Sequence, residues 1–139
     1  MTDIFIDTDI IIDLLIDRKP HSGEVAIIFT LIEQRKLKGY VSSLTFSNLY
    51  YLLRKVESHN KVIAKLESIS KLLTILKVDQ QTIKDAISSG FTDFEDSIQY
   101  NCARDCKKID VLITRNVKDF KNTEIPVMTP ADYLKMVST

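Results

Sequence analysis

The period of the apolar positions changes along this chain and marks out strands that alternate with helices. Ile4-Phe5-Ile6 is an unbroken apolar run that stops at Asp7, which predicts a buried strand ending in an acid. Ile10, Ile11, Leu14 and Leu15 then recur at helical spacing, and Val25, Ile28, Phe29 and Ile32 fall at i, i+3, i+4 and i+7, predicting a second helix to about Lys36. Gly39-Tyr40-Val41 reads as a turn and a brief strand. Ser42 or Ser43 can cap the next helix, whose apolar stripe is Phe46, Leu49, Tyr50 and Leu53.

The second half repeats the alternation. Val62, Leu66, Ile69 and Leu73 mark a helix capped by Ser58, and Ile75 to Val78 reads as a strand. Asp79 opens a helix that ends near Gly90. Thr92-Asp93-Phe94-Glu95 matches a capping box, with Glu95 as the reciprocal partner of Thr92, and the helix it starts carries Phe94, Ile98 and Cys102 inward. Asp110 to Ile113 and Ile125 to Met128 are the remaining strands. Thr129-Pro130 supplies an N-cap and a first-turn proline for a C-terminal helix. This order predicts an α/β domain with a mostly parallel sheet covered on both faces, one domain over residues 1–139.

Composition narrows the classes. At 45% hydrophobic and 27% charged, with 3 Gly and 3 Pro, the 139 residues suit a globular core and exclude a disordered tail or a repeat array. Nineteen basic and nineteen acidic residues cancel, so nucleic acid would have to be held by local patches rather than by a global field. No apolar stretch approaches the ~20 residues of a membrane span, and Met1-Thr2-Asp3 has no signal-peptide character, so the expected place is the cytoplasm. Cys102 and Cys106 lie one helical turn apart, a poor disulfide geometry and too few ligands for zinc; they read as small hydrophobes.

Candidate chemistry rests on acids. In open α/β sheets it sits beyond the carboxyl ends of the strands, which draws attention to Asp7 and to the segment after Ile113. Asp7 is followed by Thr8 and Asp9; Asp93, Glu95 and Asp96 cluster at a helix start; Asp119 closes Thr114-Arg115-Asn116-Val117-Lys118-Asp119. Only two histidines, His21 and His59, are present, which argues against an imidazole metal site or a histidine triad. Converging carboxylates suit Mg²⁺ or Mn²⁺, and hydrolysis of a phosphodiester is the natural reaction of such a site. Asp93 and Glu95 also have ordinary roles at a helix start; an acid such as Asp7, at the end of an apolar strand, is costly unless paired.

Three segments in order resemble the PIN-domain family, the fold of metal-dependent ribonucleases of the VapC toxin type. Ile4 to Leu15 resembles its first motif, a strand ending in Asp-Thr-Asn/Asp before an apolar helix. Asp93-Phe94-Glu95-Asp96-Ser97-Ile98-Gln99 resembles the segment with its third acid. Thr114-Arg115-Asn116-Val117-Lys118-Asp119-Phe120 is similar to the Thr-Arg-Asn-x-x-Asp-Phe motif with the fourth. The resemblance implies a three-layer α/β/α fold and catalytic metal ligands at Asp7, Asp96 and Asp119, with Asp93 as a further acid and Mg²⁺ or Mn²⁺ as cofactor. Thr8, Thr114 and Asn116 would support the site, and Arg115 and Lys118 would hold RNA phosphates. Arg54, Lys55, Lys61 and Lys65 are further basic candidates.

One position departs from the family pattern. Where a Glu is usual in the helix after the second strand, this chain has Asn48, which offers an oxygen but no charge. The family implies an RNA substrate, a small protein antitoxin as partner, and a homodimer. Two other readings stand beside it: a catalytically weakened PIN-like module that binds RNA or protein, and a phosphotransferase of the haloacid-dehalogenase type, for which Asp7-Thr8-Asp9 is the matching feature.

Overall fold

The computed structural model describes residues 2–138. Five strands, β1 (Thr2–Ile6), β2 (Leu37–Ser42), β3 (Thr74–Leu76), β4 (Val111–Ile113) and β5 (Val127–Met128), form one sheet in the order β3-β2-β1-β4-β5. Every pairing is parallel. Seven helices connect and cover them: α1 (Thr8–Leu15), α2 (Ser22–Glu33), α3 (Ser43–Leu53), α4 (His59–Leu72), α5 (Gln80–Ser88), α6 (Phe94–Cys106) and α7 (Pro130–Val137). The three-layer α/β/α architecture expected from the sequence is thus present.

Strand pleating separates the core into two parts. Ile4 and Ile6 of β1, Val41 of β2 and Ile113 of β4 point to one face, where they meet Ile10, Val25, Ile28, Leu49, Val62 and Tyr133. Phe5, Tyr40 and Leu112, at the alternate positions, point to the other face with Tyr100, Cys102, Ala103 and Phe120. Helices α1 to α4 and α7 therefore contribute to the first face, and α6 covers the second. Strands buried on both faces explain the unbroken apolar runs, since no position can be left polar.

Local signals account for most boundaries. Ser42, Ser58, Asp79 and Thr129 each accept a backbone N–H at the start of their helix, and Asp79 exchanges hydrogen bonds with Thr82 in a capping box. Helix α2 stops at Glu33, short of Lys36, because Arg35 turns left-handed with φ of 60° and the chain enters β2 two residues later. Helix α6 is capped by Asp93, not Thr92: the Asp96 N–H donates to Asp93 Oδ1 at 3.0 Å. That shift by one residue removes Glu95 from the reciprocal role expected of it. Both cysteines are free, Cys102 buried and Cys106 half-buried. Among the described residues no helix is long and apolar enough to cross a membrane.

The strand order sets the place of the site. The chain moves outward from β1 to β2 and β3, then returns to put β4 on the opposite side of β1. The crevice beyond the carboxyl ends of β1 and β4 is the switch point, and Asp7 and Thr114 are the residues that immediately follow those strands.

Gly39 of β2 is closely covered by neighbouring side chains. A Cβ there would lie 2.6 Å from Leu73 Cδ2 and 2.9 Å from Ile32 Cδ1. Gly39→Ala is expected to lower stability by about 1–3 kcal/mol, as overpacking a core does; equilibrium urea unfolding checks it, and an unchanged midpoint would show that both side chains can move aside.

Candidate active site

Asp7 stands at the centre. It is 2% exposed, and among the described residues it forms no ion pair; the groups that act on it are neutral donors and another acid. The Thr114 hydroxyl donates to Oδ2 at 2.7 Å and the Gln99 amide to Oδ1 at 2.8 Å. Gln99 is itself fixed, because the Thr8 N–H donates to its Oε1 at 3.1 Å. That bond orients the amide so that its NH₂ faces Asp7. Backbone bonds complete the frame: the Asp7 N–H donates to the Ile113 carbonyl, and the Thr114 N–H to that of Met128.

Burial pushes the Asp7 pKa up, the Asp9 charge adds to the push, and the hydrogen bonds from Thr114 and Gln99 oppose it. Asp96, half-buried at the start of α6, is pushed up to about 7, first by desolvation and then by Asp7, Asp93, Asp9 and Asp119. Glu95 is also raised, by desolvation and then by Asp7, Asp93 and Asp9, while a hydrogen bond with Thr8 works the other way. The acids expected at positions 7, 96 and 119 thus act on one another through space. Asp9, Asp93 and Glu95 share that field.

The supporting residues divide. Thr114 is fully buried and receives the Asn116 N–H at 3.1 Å, so the turn after β4 is wound around the hydroxyl that serves Asp7. Asn116 donates its side-chain amide to Asp9 Oδ2 at 3.0 Å. Thr8 bonds Thr45 at 3.0 Å, tying α1 to α3. Asn48, one turn beyond Thr45, is half-buried in a groove shared with Glu95 and Gln99. Asp119 ends a 3₁₀ turn, Val117–Asp119, at the outer edge of the acids. Asp93 has one oxygen committed to the cap of α6.

Arg115 does something the sequence did not suggest. Its Nε lies 2.8 Å from Oδ2 of Asp13, a fully buried carboxylate, and Arg18 lies 3.5 Å from the other oxygen. The Arg115 N–H is not aligned for a hydrogen bond, so the contact is a charge pair. Of the other basic candidates, Lys65 is held by Glu57 at 2.8 Å and the Leu15 carbonyl at 3.1 Å, and Arg54 leans on the Glu57 carbonyl at 3.4 Å. Lys118 is exposed beside Asp119.

Gln99, Asp9 and Asp13 are the participants that sequence reasoning missed. Gln99 sits three residues after Asp96, on the same helical face, which is the signal that would have found it.

A family model described as PIN domain matches residues 3–118. The chain belongs to the PIN domain family. Over 143 aligned positions it is 24% identical to the ribonuclease VapC1 of Aquifex aeolicus strain VF5, covering 98% of this chain and 96% of that one. Its fold is similar to that in the VapBC-1 structure from nontypeable Haemophilus influenzae, with a TM-score of 0.68 and 19% identity over 94% of this chain and 99% of that one. The VapBC2 structure from Rickettsia felis, bound to a promoter DNA fragment, has the same TM-score at 16% identity, covering 91% and 97%. PIN-family membership decides between the two readings of Asp7-Thr8-Asp9, and the haloacid-dehalogenase reading falls away.

The donor set of this PIN domain fits a hard divalent cation: hard oxygen donors, mutually repelling, with the nearby arginine spent on Asp13. Among the described residues no three carboxylate, imidazole or thiolate groups form a ready-made cage, so the fit lies in the chemistry of the donors.

Two measurements test this electrostatic picture. Asp96 titrates at 3.8 when unperturbed and at about 7 in the fold, so the folded form holds the proton more tightly. Its contribution to stability is fully present below about pH 4 and is lost as pH rises through about 7. In EDTA, wild-type thermal stability should therefore fall across that window, and Asp96→Asn should flatten the fall. Separately, Arg115→Ala strands Asp13 with Arg18 alone and is expected to cost about 3 kcal/mol in chemical unfolding.

Proposed function

We propose that this PIN domain is a divalent-metal-dependent endoribonuclease that hydrolyses RNA phosphodiesters and serves as the toxin of a type II toxin–antitoxin pair. The observation that carries the reading is Asp7: a buried carboxylate at the sheet's switch point, held by neutral donors and surrounded by further acids. Such a group is costly unless a cation completes it. The similarity to a protein named ribonuclease VapC1 supplies the substrate class.

Asp7, Asp96 and Asp119 are the residues assigned to hold Mg²⁺ or Mn²⁺, with Asp93 at the margin. When bound, such an ion lowers the pKa of the attacking water and offsets charge that develops on the phosphate. The chain's own residues do the rest. Thr114 and Gln99 fix the plane of the Asp7 carboxylate, and Asn116 fixes Asp9. Glu95 stands across the groove from Asn48 and supplies from α6 the negative charge that α3 lacks. Lys118 is available for a phosphate, whereas Arg115 serves first to neutralise Asp13. The VapBC-1 structure and a toxin–antitoxin complex from Klebsiella pneumoniae, both similar in fold, support a small protein antitoxin as partner; a homodimer is part of the same proposal and follows from the family resemblance alone.

Asn48 and the lack, among the described residues, of a ready-made carboxylate cage favour a second reading, a PIN-like module that binds RNA or protein without cutting RNA. Single-stranded RNA incubated with Mn²⁺ separates the two. Wild type is expected to cleave; Asp7→Asn and Asp96→Asn should each reduce the rate by about 100-fold or more, several kcal/mol of transition-state stabilisation. Glu95→Gln should raise the Mn²⁺ concentration needed for half-maximal rate. RNA binding by wild type with no Mn²⁺-dependent products would establish the module instead.

A further inference from the structure

A second concavity adjoins the acids. It has a volume of about 550 Å³ and lies between the loop after α5 (residues 89–92), Tyr100, Asn101 and Arg104 of α6, and the loop that follows the 3₁₀ turn. That size is within the range of pockets that take small organic groups. Asp119 and Lys118 line it, so the 3₁₀ turn forms a wall common to the cavity and to the acid site.

Its construction is specific. Phe91 lines the cavity half-buried, stacked on Tyr100 at 5.6 Å and edge-on to Phe120 at 5.8 Å. The Tyr100 hydroxyl accepts the Glu124 N–H at 2.7 Å, which pins the far loop to α6. Behind the other loop, Ser89 and Ser97 share a hydroxyl contact, and the Asn101 side-chain amide donates to the Ser97 carbonyl at 2.8 Å. Asn101 is 1% exposed, and its Oδ1 has no hydrogen-bond partner. An unsatisfied buried acceptor in a cavity wall is unusual enough to require an explanation.

Charge distinguishes this cavity from the acid site. Lys118 and Lys121 are both exposed and have no carboxylate partner among the described residues, whereas Arg104 is paired with Asp85 at 3.3 Å and Asp105 at 3.6 Å. Two unpaired ammonium groups on the rim, an aromatic platform and an amide in the wall match what an unstacked nucleotide offers: phosphates, a π face and polar base edges.

We propose that this cavity is a nucleotide subsite that receives the base next to the cleaved bond of a single-stranded RNA, with Phe91 as platform and Lys118 and Lys121 on the flanking phosphates. It rests on the nuclease reading for its role in selecting the cleavage site, but not for binding itself. A base seated here leaves its neighbouring phosphodiester to cross the 3₁₀ turn toward Asp119 and Asp96. The cavity would thus choose where the acids act, so part of the base preference resides outside the residues that carry the PIN motifs.

The experiment uses a fluorescent hexaribonucleotide and the full chain in EDTA, which keeps binding separate from turnover. Lys121→Glu is expected to weaken binding about 10-fold and to reduce the salt slope by about 0.7 for the lost phosphate contact. Phe91→Leu preserves apolar volume but removes the ring, and should weaken binding 3-fold or more with an unchanged salt slope; circular dichroism and unfolding midpoints verify that both variants fold. With Mn²⁺ and a random RNA pool, Phe91→Leu should flatten the base preference beside the cut while Lys121→Glu raises KM with little change in kcat. If both variants bind and select RNA like wild type, the subsite is refuted and the cavity belongs to something else, such as a protein segment. If wild type binds with these dependences but never cleaves, the subsite stands and the nuclease reading fails.

Discussion

Everything at the candidate active site follows from one buried carboxylate that is given hydrogen bonds but, among the described residues, no counter-charge. Removing an ionised acid from water costs several kcal/mol even after the protein relaxes around it. Two neutral donors at Asp7 recover part of this, and each oxygen keeps lone pairs free. Further acids worsen the balance: Asp9 stands two residues away, and Asp96 and Glu95 face the same space from α6. A stability optimum would not be arranged in this way, which is the physical ground for proposing a cation there.

The topology makes the arrangement possible. A parallel sheet aligns its carboxyl ends, and the return of the chain to β4 brings Thr114 beside Asp7 across 107 residues of sequence. The same backbone bond that registers the two strands, from the Asp7 N–H to the Ile113 carbonyl, sets the distance between donor and acceptor. Helix α6 adds the third side, with Gln99 one turn beyond Asp96. Position in the site is therefore inherited from strand register and helix phase, and loops contribute chiefly its outer edge, at Asp119.

What the sequence revealed was what depends on near neighbours. Strand β1 was legible because Ile4 to Ile6 must be apolar on both faces, and Asp7 was conspicuous because it ends that run. Caps at Ser58, Asp79 and Thr129 were legible because their partners lie within three residues. The misreadings have a common form. Thr92 and Glu95 satisfied a local pattern, yet Asp93 could serve the same helix one residue later and did. Gln99 looked like an ordinary polar residue on an amphipathic helix, because its meaning lies 92 residues away at Asp7. The pairing of Arg115 with Asp13 went unread, without bearing on its expected role toward phosphate, because Asp13, among polar and apolar neighbours on α1, gave no sign of being fully buried.

Asp13 and Asp7 together form an internal comparison. Both are buried acids of the same short segment, and both are raised by desolvation. Arg115 and Arg18 neutralise Asp13, which then fastens the turn after β4 to α1. Asp7, reached by that same turn through Thr114, has no such partner among the described residues. An arginine one residue from Thr114 is close enough in sequence to have been turned toward Asp7, and the fold directs it elsewhere. Neutralising one acid while leaving the other open separates a structural carboxylate from the one proposed to act in the site, and the separation follows from where positive charge is withheld rather than from where acids accumulate.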